Sequence, residues 1–559
     1  MVVHELEQES LYKKLYSLIG IAVLLNFSGL FVPLMDPDAG IYASIAKNMV
    51  VRNDYINLWV HEKDWLDKPH LPFWITALFF KIFGLHGWVY KLPAVLCSLL
   101  GARYTYLFGK KFYSKATGLL ASFILLTATH FIISNNDVRA EPFLTGFIIA
   151  AIYYFSKTIN KPIGLDLLLA SLFTAFAVMT KGVFTIIPIG AAVGIHLLLQ
   201  KQWNQIFHVR WVIAFALIAL FITPELYSLY QQFDAHPEKV VFGRTNVSGI
   251  KFFLWDSQFG RFFGTGPIVN AEKKGDPTFF LHTLLWAFLP WCLLMYASLF
   301  TVVKKTIQKQ PVKEWMTIGS ILATLLVFSF SGFQLPAYTN ILFPMMAVMT
   351  AHFILTRVEA STASWAVVQN VLSVLLLMVA VALFYFYRPA VSAIFIIVFV
   401  ILLMLLFLLP KLFAPVKALI PYLRSGVIAM LVYVFLNLSF YPDLLQYHSG
   451  NQIAWYINQH YPTTPSGHLS LYMPSARFYL KPEMRYTNLD EICSGQFKTP
   501  VLLVVNDEEL LQLQKENIQY KEVKRFLHFN TTQLKGKFIN HKTRRETLMN
   551  RYLLMLEPR

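Results

Sequence analysis

Apolar stretches of about 20 residues, separated by short polar connections, recur along most of the chain. A stretch of this length crosses the hydrocarbon core of a bilayer as a helix. The apolar residues run consecutively and do not alternate with polar ones, so membrane β-strands are not predicted. The pattern predicts about thirteen spans, near residues 15–34, 88–108, 116–133, 141–156, 163–180, 183–199, 211–229, 278–302, 315–331, 335–354, 365–386, 391–409 and 425–441.

Two parts of this pattern leave the interpretation open. Several spans are short for a bilayer, and the stretch 141–199 could be divided differently. The apolar piece 71–84 is too short to cross, and we expect it to lie along the membrane interface as a helix.

Basic residues concentrate in every second connection, which predicts the orientation. The N-terminus is expected in the cytoplasm, and an odd number of spans then places the C-terminus outside. Glu5, Glu7 and Glu9 precede Lys13 and Lys14, so the first apolar run is expected to be an uncleaved signal anchor. The predicted inner connections carry Lys110, Lys111, Lys115, Lys157, Lys161, Lys201, Arg210, Lys304, Lys305, Lys309, Lys313, Arg357, Lys411, Lys417 and Arg424.

Three regions do not span the membrane in this interpretation: outer loops at about 35–87 and 230–277, and the tail 445–559. The tail alternates β-like runs with a helical stretch, and its length is enough for a core of its own. The β-like runs are His468–Met473 and Pro500–Val505, and the helical stretch is Glu508–Glu516. We therefore expect an all-α polytopic domain over 1–444 and a small α/β domain over 445–559, both outer loops and the tail facing the periplasm.

Composition supports a membrane protein and excludes several other classes. Of the 559 residues, 56% are hydrophobic and only 14% are charged, whereas soluble proteins are about one quarter charged. The net charge of +17 follows mainly from the inner loops. No basic run interleaved with aromatic residues lies in a soluble segment of its own, so a nucleic-acid partner is not expected. Three cysteines, Cys97, Cys292 and Cys493, do not make a disulfide framework.

Charged residues gather at the predicted outer ends of the spans. Ionisable groups at this depth are costly and usually face a cavity or a substrate. Outer loops also need some polar residues, so each position taken singly has an ordinary explanation; together they indicate one site on one face. The set is Asp36, Asp38, Asp137, Arg139, Glu141, Lys181, Arg261 and Tyr338.

Two interpretations of Asp38 stand at this stage. Because a helical pattern follows it, the residue could be a helix N-cap, a role that stabilises a helix by about 1 kcal/mol. Alternatively, Asp38 is a general base, since a carboxylate beside a second acid and an apolar wall has the raised proton affinity that deprotonation of a hydroxyl requires.

The outer cations also allow two interpretations. Lys68 could extend towards lipid headgroups or hold a phosphate beside the helix expected at 71–84. Arg261 is the better phosphate ligand because a guanidinium binds phosphate with two hydrogen bonds, although its aromatic neighbours would also suit a cation–π contact. No metal-ligand spacing, Walker loop or dinucleotide fingerprint is found, which disfavours nucleotide-driven transport and redox chemistry.

From about residue 12 to 355 the chain resembles the integral-membrane glycosyltransferases of the GT-C fold that use polyprenyl-phosphate sugars. Within them it is most similar to the bacterial lipid A aminoarabinose transferase and protein O-mannosyltransferase-like group. Eight motifs in order carry the resemblance: Asp38-x-x-x-Tyr42-Ala43, Asp67-Lys68-Pro69, Tyr90-Lys91-Leu92-Pro93, Asp137-x-Arg139-x-Glu141-x-x-Leu144-Thr145, Thr180-Lys181-Gly182, Arg261-Phe262, Leu289-Pro290-Trp291 and Leu335-Pro336-x-Tyr338.

The resemblance implies a role for each matched residue. Asp38 would be the catalytic base, with Glu141 and Asp137 as further acids; Lys68 and Arg261 would hold the lipid phosphate. Tyr42 and Tyr338 would line the cavity, and Lys181, Arg139 and Asp36 are added as substrate-binding candidates. The chain departs from the family at Glu141, often Asp, at Gln334, often Lys, and at Gln258, which is His in some members. These departures leave the donor sugar and a divalent cation open, and no cofactor or metal site is predicted.

The expected function is an inverting glycosyltransferase in the bacterial inner membrane. It would move a sugar from a polyprenyl-phosphate donor to a lipid (lipid A-like), glycan or protein acceptor on the periplasmic side. Two alternatives remain: a transporter or flippase for lipid-linked sugars, which would favour charges in mid-span and internal repeats, and a membrane scaffold whose periplasmic domain binds a partner.

Overall fold

The computed structural model describes residues 2–265, 275–360, 364–481, 484–494, 497 and 499–558. Helices dominate the first 444 residues of this part of the chain, and a sheet appears only in the tail and in one short hairpin. The expected combination of a helical membrane region with a small α/β tail is confirmed.

Helices cover every apolar run of the N-terminal half. The longest is Val2–Ser28, and the stretch 141–199 divides into three helices at the predicted places. The α-helices up to residue 263 are Val2–Ser28, Asp38–Arg52, Leu71–Phe83, Gly87–Phe112, Lys115–Leu126, Thr129–Asn136, Glu141–Thr158, Leu165–Lys181, Ile186–Leu199, Trp203–Ile206, Arg210–Phe221, Thr223–Leu229, Gly249–Lys251 and Ser257–Phe263.

The second half of the helical region continues the same arrangement. Its α-helices are Phe279–Ala287, Cys292–Ile307, Met316–Ser329, Phe343–Glu359, Ser364–Tyr387, Ala393–Leu412, Ile420–Phe435 and Tyr441–Leu444. Within the described ranges, six helical segments are long and apolar enough to cross a membrane, or seven if one bent pair is a single span. The protein is therefore a multi-pass membrane protein, while the count of thirteen and the orientation stay predictions.

Two of the predicted spans are broken at points that contact each other in the structure. The run 116–133 consists of Lys115–Leu126 and Thr129–Asn136, which meet at 52°. The run 278–302 is broken between Ala287 and Cys292, around the Leu289-Pro290 step. The backbones at the two breaks are hydrogen-bonded to each other: the Thr129 amide donates to the Leu289 carbonyl at 3.0 Å. Freed backbone groups are thus satisfied inside the protein, as irregular backbone at membrane depth requires.

The strands of the described chain are β1 Trp59–Val60, β2 Lys63–Asp64, β3 Ser466–His468, β4 Met484–Tyr486, β5 Val501–Val505, β6 Lys521–His528 and β7 Met549–Leu556. The tail folds around a five-stranded mixed sheet with the strand order β4-β3-β5-β7-β6. Strand β3 pairs in parallel with β4 and β5, and β7 pairs antiparallel with β5 and β6. The helices of the tail are Ser449–His460, Pro474–Tyr479, Leu489–Cys493, Asp507–Lys515 and Gly536–Ile539.

Two of the three elements predicted for the tail are confirmed, and one is wrong. Helix Asp507–Lys515 confirms the predicted helix within one residue, and a capping box between Asn506 and Glu509 fixes its start. Strand β5 confirms the run that ends at Val505. The predicted strand His468–Met473 is wrong, because β3 ends at His468 and the alternating residues after it lead into Pro474.

Helix Asp38–Arg52 of the first loop packs directly against the tail helix Pro474–Tyr479. Lys47 Nζ donates to the carbonyls of Arg477 and Phe478 at 3.0 Å and of Leu480 at 2.6 Å. A cation at a helix C-terminus also pairs favourably with the partial negative charge there. The tail thus fixes the position of the helix that begins at Asp38.

Gly40 permits this close packing. A Cβ atom on Gly40 would lie 2.6 Å from the Ser475 amide nitrogen and 2.9 Å from the Pro474 carbonyl carbon. These are backbone atoms, so neither can rotate away, and any larger residue must push the two helices apart.

We expect Gly40→Ala to lower the melting temperature of the purified protein and to expose the tail to limited proteolysis. Gly190→Ala is the matched control, because a Cβ there meets no atom within 4 Å. Equal protease resistance of the two variants would contradict the packing role of Gly40.

Candidate active site at the ends of the helices

Asp38 begins helix Asp38–Arg52 and faces Arg139 in the connection before helix Glu141–Thr158. The Asp38 Oδ2 atom lies 2.8 Å from Arg139 Nη1. Arg139 also binds Asp137 Oδ2, at 2.9 Å from Nη2 and 3.1 Å from Nε. Three of the predicted site residues therefore form one charged cluster, with Arg139 between two carboxylates.

The N-cap interpretation of Asp38 is wrong. Pro37 occupies the N-cap position, and the structure gives no side-chain hydrogen bond that caps this helix. Burial raises the pKa of the Asp38 carboxyl, with the Arg139 charge opposing that rise. Asp38 thus combines partial exposure with a raised proton affinity, the combination that suits a general base.

Glu141 and Lys181 form a second, deeper ion pair. Glu141 is the first residue of its helix and Lys181 is the last residue of helix Leu165–Lys181, so the pair joins two helix ends. Both side chains are buried. The ammonium group of Lys181 also lies 3.9 Å from the centre of the Tyr338 ring, a cation–π contact.

Asp67, Lys68 and Arg261 form a third cluster. Lys68 Nζ lies 2.6 Å from Asp67 Oδ2, and the Arg261 guanidinium pairs with the other Asp67 oxygen. Burial raises the pKa of Asp67, but Lys68 and Arg261 together hold it below its ordinary value. Burial lowers the pKa of Lys68, which the Asp67 charge counteracts. Two cations thus share one carboxylate, and neither extends into open water.

A cavity lies beside this third cluster, with about 840 Å³ of empty space when the part open to solvent is included. Asp67, Lys68, Lys181, Arg261 and Tyr338 form its polar end. Arg261 Nε is buried and has no hydrogen-bond partner among the described residues, so one N–H group of the guanidinium is unpaired. The remaining wall is mostly apolar: Leu66, Phe184, Leu229, Phe252, Phe253, Phe262, Val327, Phe328 and Phe333.

A smaller cavity, with about 330 Å³ of empty space when the part open to solvent is included, is also lined by Lys68. Tyr42, Lys68, Arg139 and Thr180 line it. Tyr42 sits one helical turn after Asp38, so the second cavity adjoins the Asp38–Arg139 pair. Because Lys68 lines both cavities, a molecule held by the Asp67 cluster would reach towards Asp38.

Asp36 lies outside these cavities, although the sequence places it among the candidate substrate-binding residues. One of its carboxylate oxygens accepts from the Ser475 amide at 2.7 Å. The other contacts His448 Nε2 at 2.9 Å and Ser475 Oγ at 3.0 Å. The tail thus occupies Asp36, and the structure gives it a docking role two residues before Asp38.

Two buried residues that sequence reasoning left out support the site. His70 Nδ1 lies 2.9 Å from Glu225 Oε1, and the His70 amide donates to Glu225 Oε2 at 2.9 Å. This pair fixes the chain just after Lys68 against helix Thr223–Leu229. The signal was present in the sequence, because an acid inside an apolar run such as 211–229 usually has a specific partner.

Comparison with known proteins identifies relatives of this chain. Residues 67–227 match the family described as dolichyl-phosphate-mannose-protein mannosyltransferase. A protein of Aquifex aeolicus is 23% identical over 346 residues, which are 61% of this chain and 64% of that protein. An undecaprenyl phosphate-alpha-4-amino-4-deoxy-L-arabinose arabinosyl transferase of Enterobacter is 23% identical over 349 residues, 60% of this chain and 59% of that protein. The matches thus cover less than two thirds of these relatives.

Similarity to solved structures extends over nearly the whole chain. ArnT from Cupriavidus metallidurans, in a crystal structure bound to undecaprenyl phosphate, gives a TM-score of 0.72 at 16% identity and covers 97% of each chain. The chain has the GT-C fold. The oligosaccharyltransferase of Archaeoglobus fulgidus shares this fold less closely, with a TM-score of 0.51, 12% identity and coverage of 91% of this chain and 69% of that one. The resemblance to the aminoarabinose transferases is confirmed, and in this GT-C fold the tail is part of the match.

The buried Glu141–Lys181 pair gives a stability prediction. Glu141→Gln leaves the Lys181 charge buried without its counter-ion, so we expect a loss of about 3–5 kcal/mol in the free energy of unfolding. Glu141→Gln/Lys181→Met should recover part of that loss, as thermal unfolding of the purified variants would measure. If the double variant is as unstable as the sum of the single variants, the two charges are not coupled.

Proposed function

We propose that this protein is an inverting glycosyltransferase of the bacterial inner membrane. It takes a sugar from a polyprenyl-phosphate donor and transfers it to a lipid, glycan or protein acceptor on the periplasmic side. The observation that carries the proposal is the cavity in which Lys68 and Arg261 share a single carboxylate at the end of an apolar wall.

This cavity suits a phosphate that is attached to a lipid chain. Lys68 and Arg261 bring two positive charges against the one negative charge of Asp67, so a phosphate would complete the charge balance. The free Nε donor of Arg261 is suited to a phosphate oxygen. The phenylalanine-rich wall would take the first apolar units of the lipid, since apolar surface gains by leaving water.

Asp38 would perform the chemical step. Its carboxylate takes the proton from the acceptor hydroxyl as that oxygen attacks the anomeric carbon of the donor sugar. The bond between the anomeric carbon and the phosphate oxygen breaks, and its electron pair stays on the lipid phosphate. A single displacement inverts the anomeric carbon. Lys68 and Arg261 would stabilise the charge that develops on the leaving phosphate.

The comparisons support the donor class and leave the acceptor open. The Enterobacter relative is named for undecaprenyl phosphate-linked aminoarabinose, and the ArnT crystal contains undecaprenyl phosphate. A structure of the archaeal oligosaccharyltransferase contains dolichol phosphate. A polyprenyl phosphate is thus common to the name of that relative and the titles of those structures, and this shared element is what we carry over to this chain.

We expect Arg261→Ala to weaken binding of undecaprenyl phosphate by tenfold or more, since a charged hydrogen bond contributes about 1.5–3 kcal/mol. Native mass spectrometry of the purified protein titrated with undecaprenyl phosphate would measure this. Arg244→Ala is the matched control, an exposed arginine in the same loop. Unchanged affinity of the Arg261 variant would contradict the phosphate role.

Asp38→Asn should abolish transfer, because an amide cannot accept the proton, while undecaprenyl phosphate still binds. The assay is incorporation of radiolabelled sugar from polyprenyl-phosphate donors into a membrane extract. Turnover at the wild-type rate would exclude Asp38 as the base, and loss of lipid binding would indicate a folding defect instead.

The raised pKa of Asp38 also predicts the pH dependence. The base must be ionised, so activity is expected to fall as pH drops through this pKa, above the value of about 3.9 for an unperturbed aspartate. Arg139 opposes the rise, so Arg139→Met should shift the acid limb of kcat/KM to still higher pH. Lys251→Met, which removes an exposed cation from the second outer loop, is the control and should leave the limb in place. A shift to lower pH in the Arg139 variant would contradict the assignment.

A further inference from the structure

A strip of polar and aromatic side chains lies between the first outer loop and the tail, outside the two cavities. We call it the loop–tail seam. The loop contributes two residues from the turn of the hairpin β1–β2, and the tail contributes four from β3, β4 and the segment between them. Its members are His61, Glu62, His468, Tyr472, Arg477 and Tyr486.

Contacts join the two sides of the seam. The His61 ring packs edge-on against Tyr472, with ring centres 5.2 Å apart. Glu62 Oε1 accepts from the Tyr486 amide at 3.4 Å and lies 3.9 Å from Arg477 Nη1.

The tail side of the seam is also connected within itself. Arg477 Nη2 lies 2.8 Å from His468 Nε2, and the His468 ring faces Tyr486 at 6.0 Å between centres. A cation, a carboxylate and two phenolic rings are therefore held side by side.

Two residues with side chains occupy positions of the hairpin turn where the backbone conformation favours glycine. His61 and Glu62 have φ angles of 53° and 61°. Two-residue hairpin turns of this type usually carry Asn-Gly, because the left-handed conformation costs a residue with a Cβ about 1–2 kcal/mol. Strain of this kind is often found where side chains are needed for function.

Docking of the loop on the tail does not account for the whole seam. The Tyr472 and Tyr486 side chains remain 59% and 58% exposed. They flank the buried His468 and the Arg477 side chain, which is 14% exposed, so the two rings and the exposed Glu62 are the parts of the seam most open to solvent.

The seam lies close to the candidate base. Tyr472 comes three residues before Ser475, whose amide binds Asp36. Burial, together with the negative charges of Asp36 and Asp38, raises the pKa of Tyr472 to about 12. Tyr472 thus lies on the segment that leads into the Asp36 contact, next to the helix that begins at Asp38.

On the basis of the proposed function, we propose that the loop–tail seam binds the sugar rings of a saccharide acceptor and directs an acceptor hydroxyl towards Asp38. The C–H face of a sugar packs on an exposed tyrosine ring, and its hydroxyls bond to neighbouring charged groups. An acceptor peptide would instead add as a strand to an open sheet edge. Strand β4 is such an edge, but Glu62 already occupies the Tyr486 amide.

Saturation-transfer NMR on the full-length protein in nanodiscs tests the inference. The probes are a glucosamine disaccharide, mannotriose and a Ser/Thr-rich peptide, with undecaprenyl phosphate binding measured on the same samples. We expect transfer to sugar-ring protons, and about tenfold weaker affinity in Tyr472→Ala/Tyr486→Ala, a loss of about 1.4 kcal/mol. Tyr472→Phe keeps the ring and should bind like the wild type.

Leu511→Ala/Leu527→Ala is the matched control, since both leucines are exposed elsewhere on the tail. Normal undecaprenyl phosphate binding without saccharide signal, a signal from the peptide alone, or equal saccharide affinity of the tyrosine and leucine variants would each overturn the seam assignment. Absence of undecaprenyl phosphate binding in the wild type would overturn the proposed function itself, and with it this inference.

Discussion

The pairing of buried charges in three clusters near the ends of the helices is the constraint on which the rest of this structure depends. Charges beside a membrane are costly unless an opposite charge is close. Arg139 lies between Asp38 and Asp137, Lys181 pairs with Glu141, and Asp67 holds Lys68 and Arg261. Each cluster contains one pair that joins segments far apart in the sequence: Asp38 with Arg139, Glu141 with Lys181, and Asp67 with Arg261. Charge pairing therefore also fixes how the helix ends meet.

These three clusters differ in how completely they are balanced. Glu141 and Lys181 neutralise each other and are almost fully buried, which suits a structural role, and Lys181 also lines the larger cavity. The Asp67 cluster has one more cation than anion and leaves Arg261 Nε unpartnered. The Arg139 cluster has the opposite excess, with two carboxylates on one guanidinium. The Asp67 cluster, with its excess positive charge, is therefore suited to hold an anion, and the Arg139 cluster, with its excess negative charge, is suited to accept a proton. Lys68 lines the cavities beside both clusters.

Sequence reasoning could recover this site because its logic is local and chemical. A charged residue at the end of an apolar run is conspicuous, and the spacing Asp137-x-Arg139-x-Glu141 shows three charges at one helix start. The partners of each charge were not predictable, because pairing depends on which helix ends meet in space. Asp36 shows the limit: it resembles Asp38 in the sequence, yet the tail occupies its carboxylate. Predictions for the tail were partly right. The capping signal at Asn506 correctly predicted a helix start, whereas the alternating residues after His468 are buried and exposed positions of a loop and form no strand.

The tail has a physical reason to be part of the site. Helix Asp38–Arg52 is largely buried yet lies in a loop outside the predicted spans, so the membrane alone cannot hold it. Lys47 fixes one end of that helix to the tail, and Asp36 fixes the other through His448 and Ser475. Asp38 lies between these two attachments, and a base is effective only when its carboxylate stays aligned with the hydroxyl it deprotonates. A GT-C fold that carries its proposed base on a loop helix therefore needs a rigid body outside the membrane, and the mixed sheet of the tail provides it.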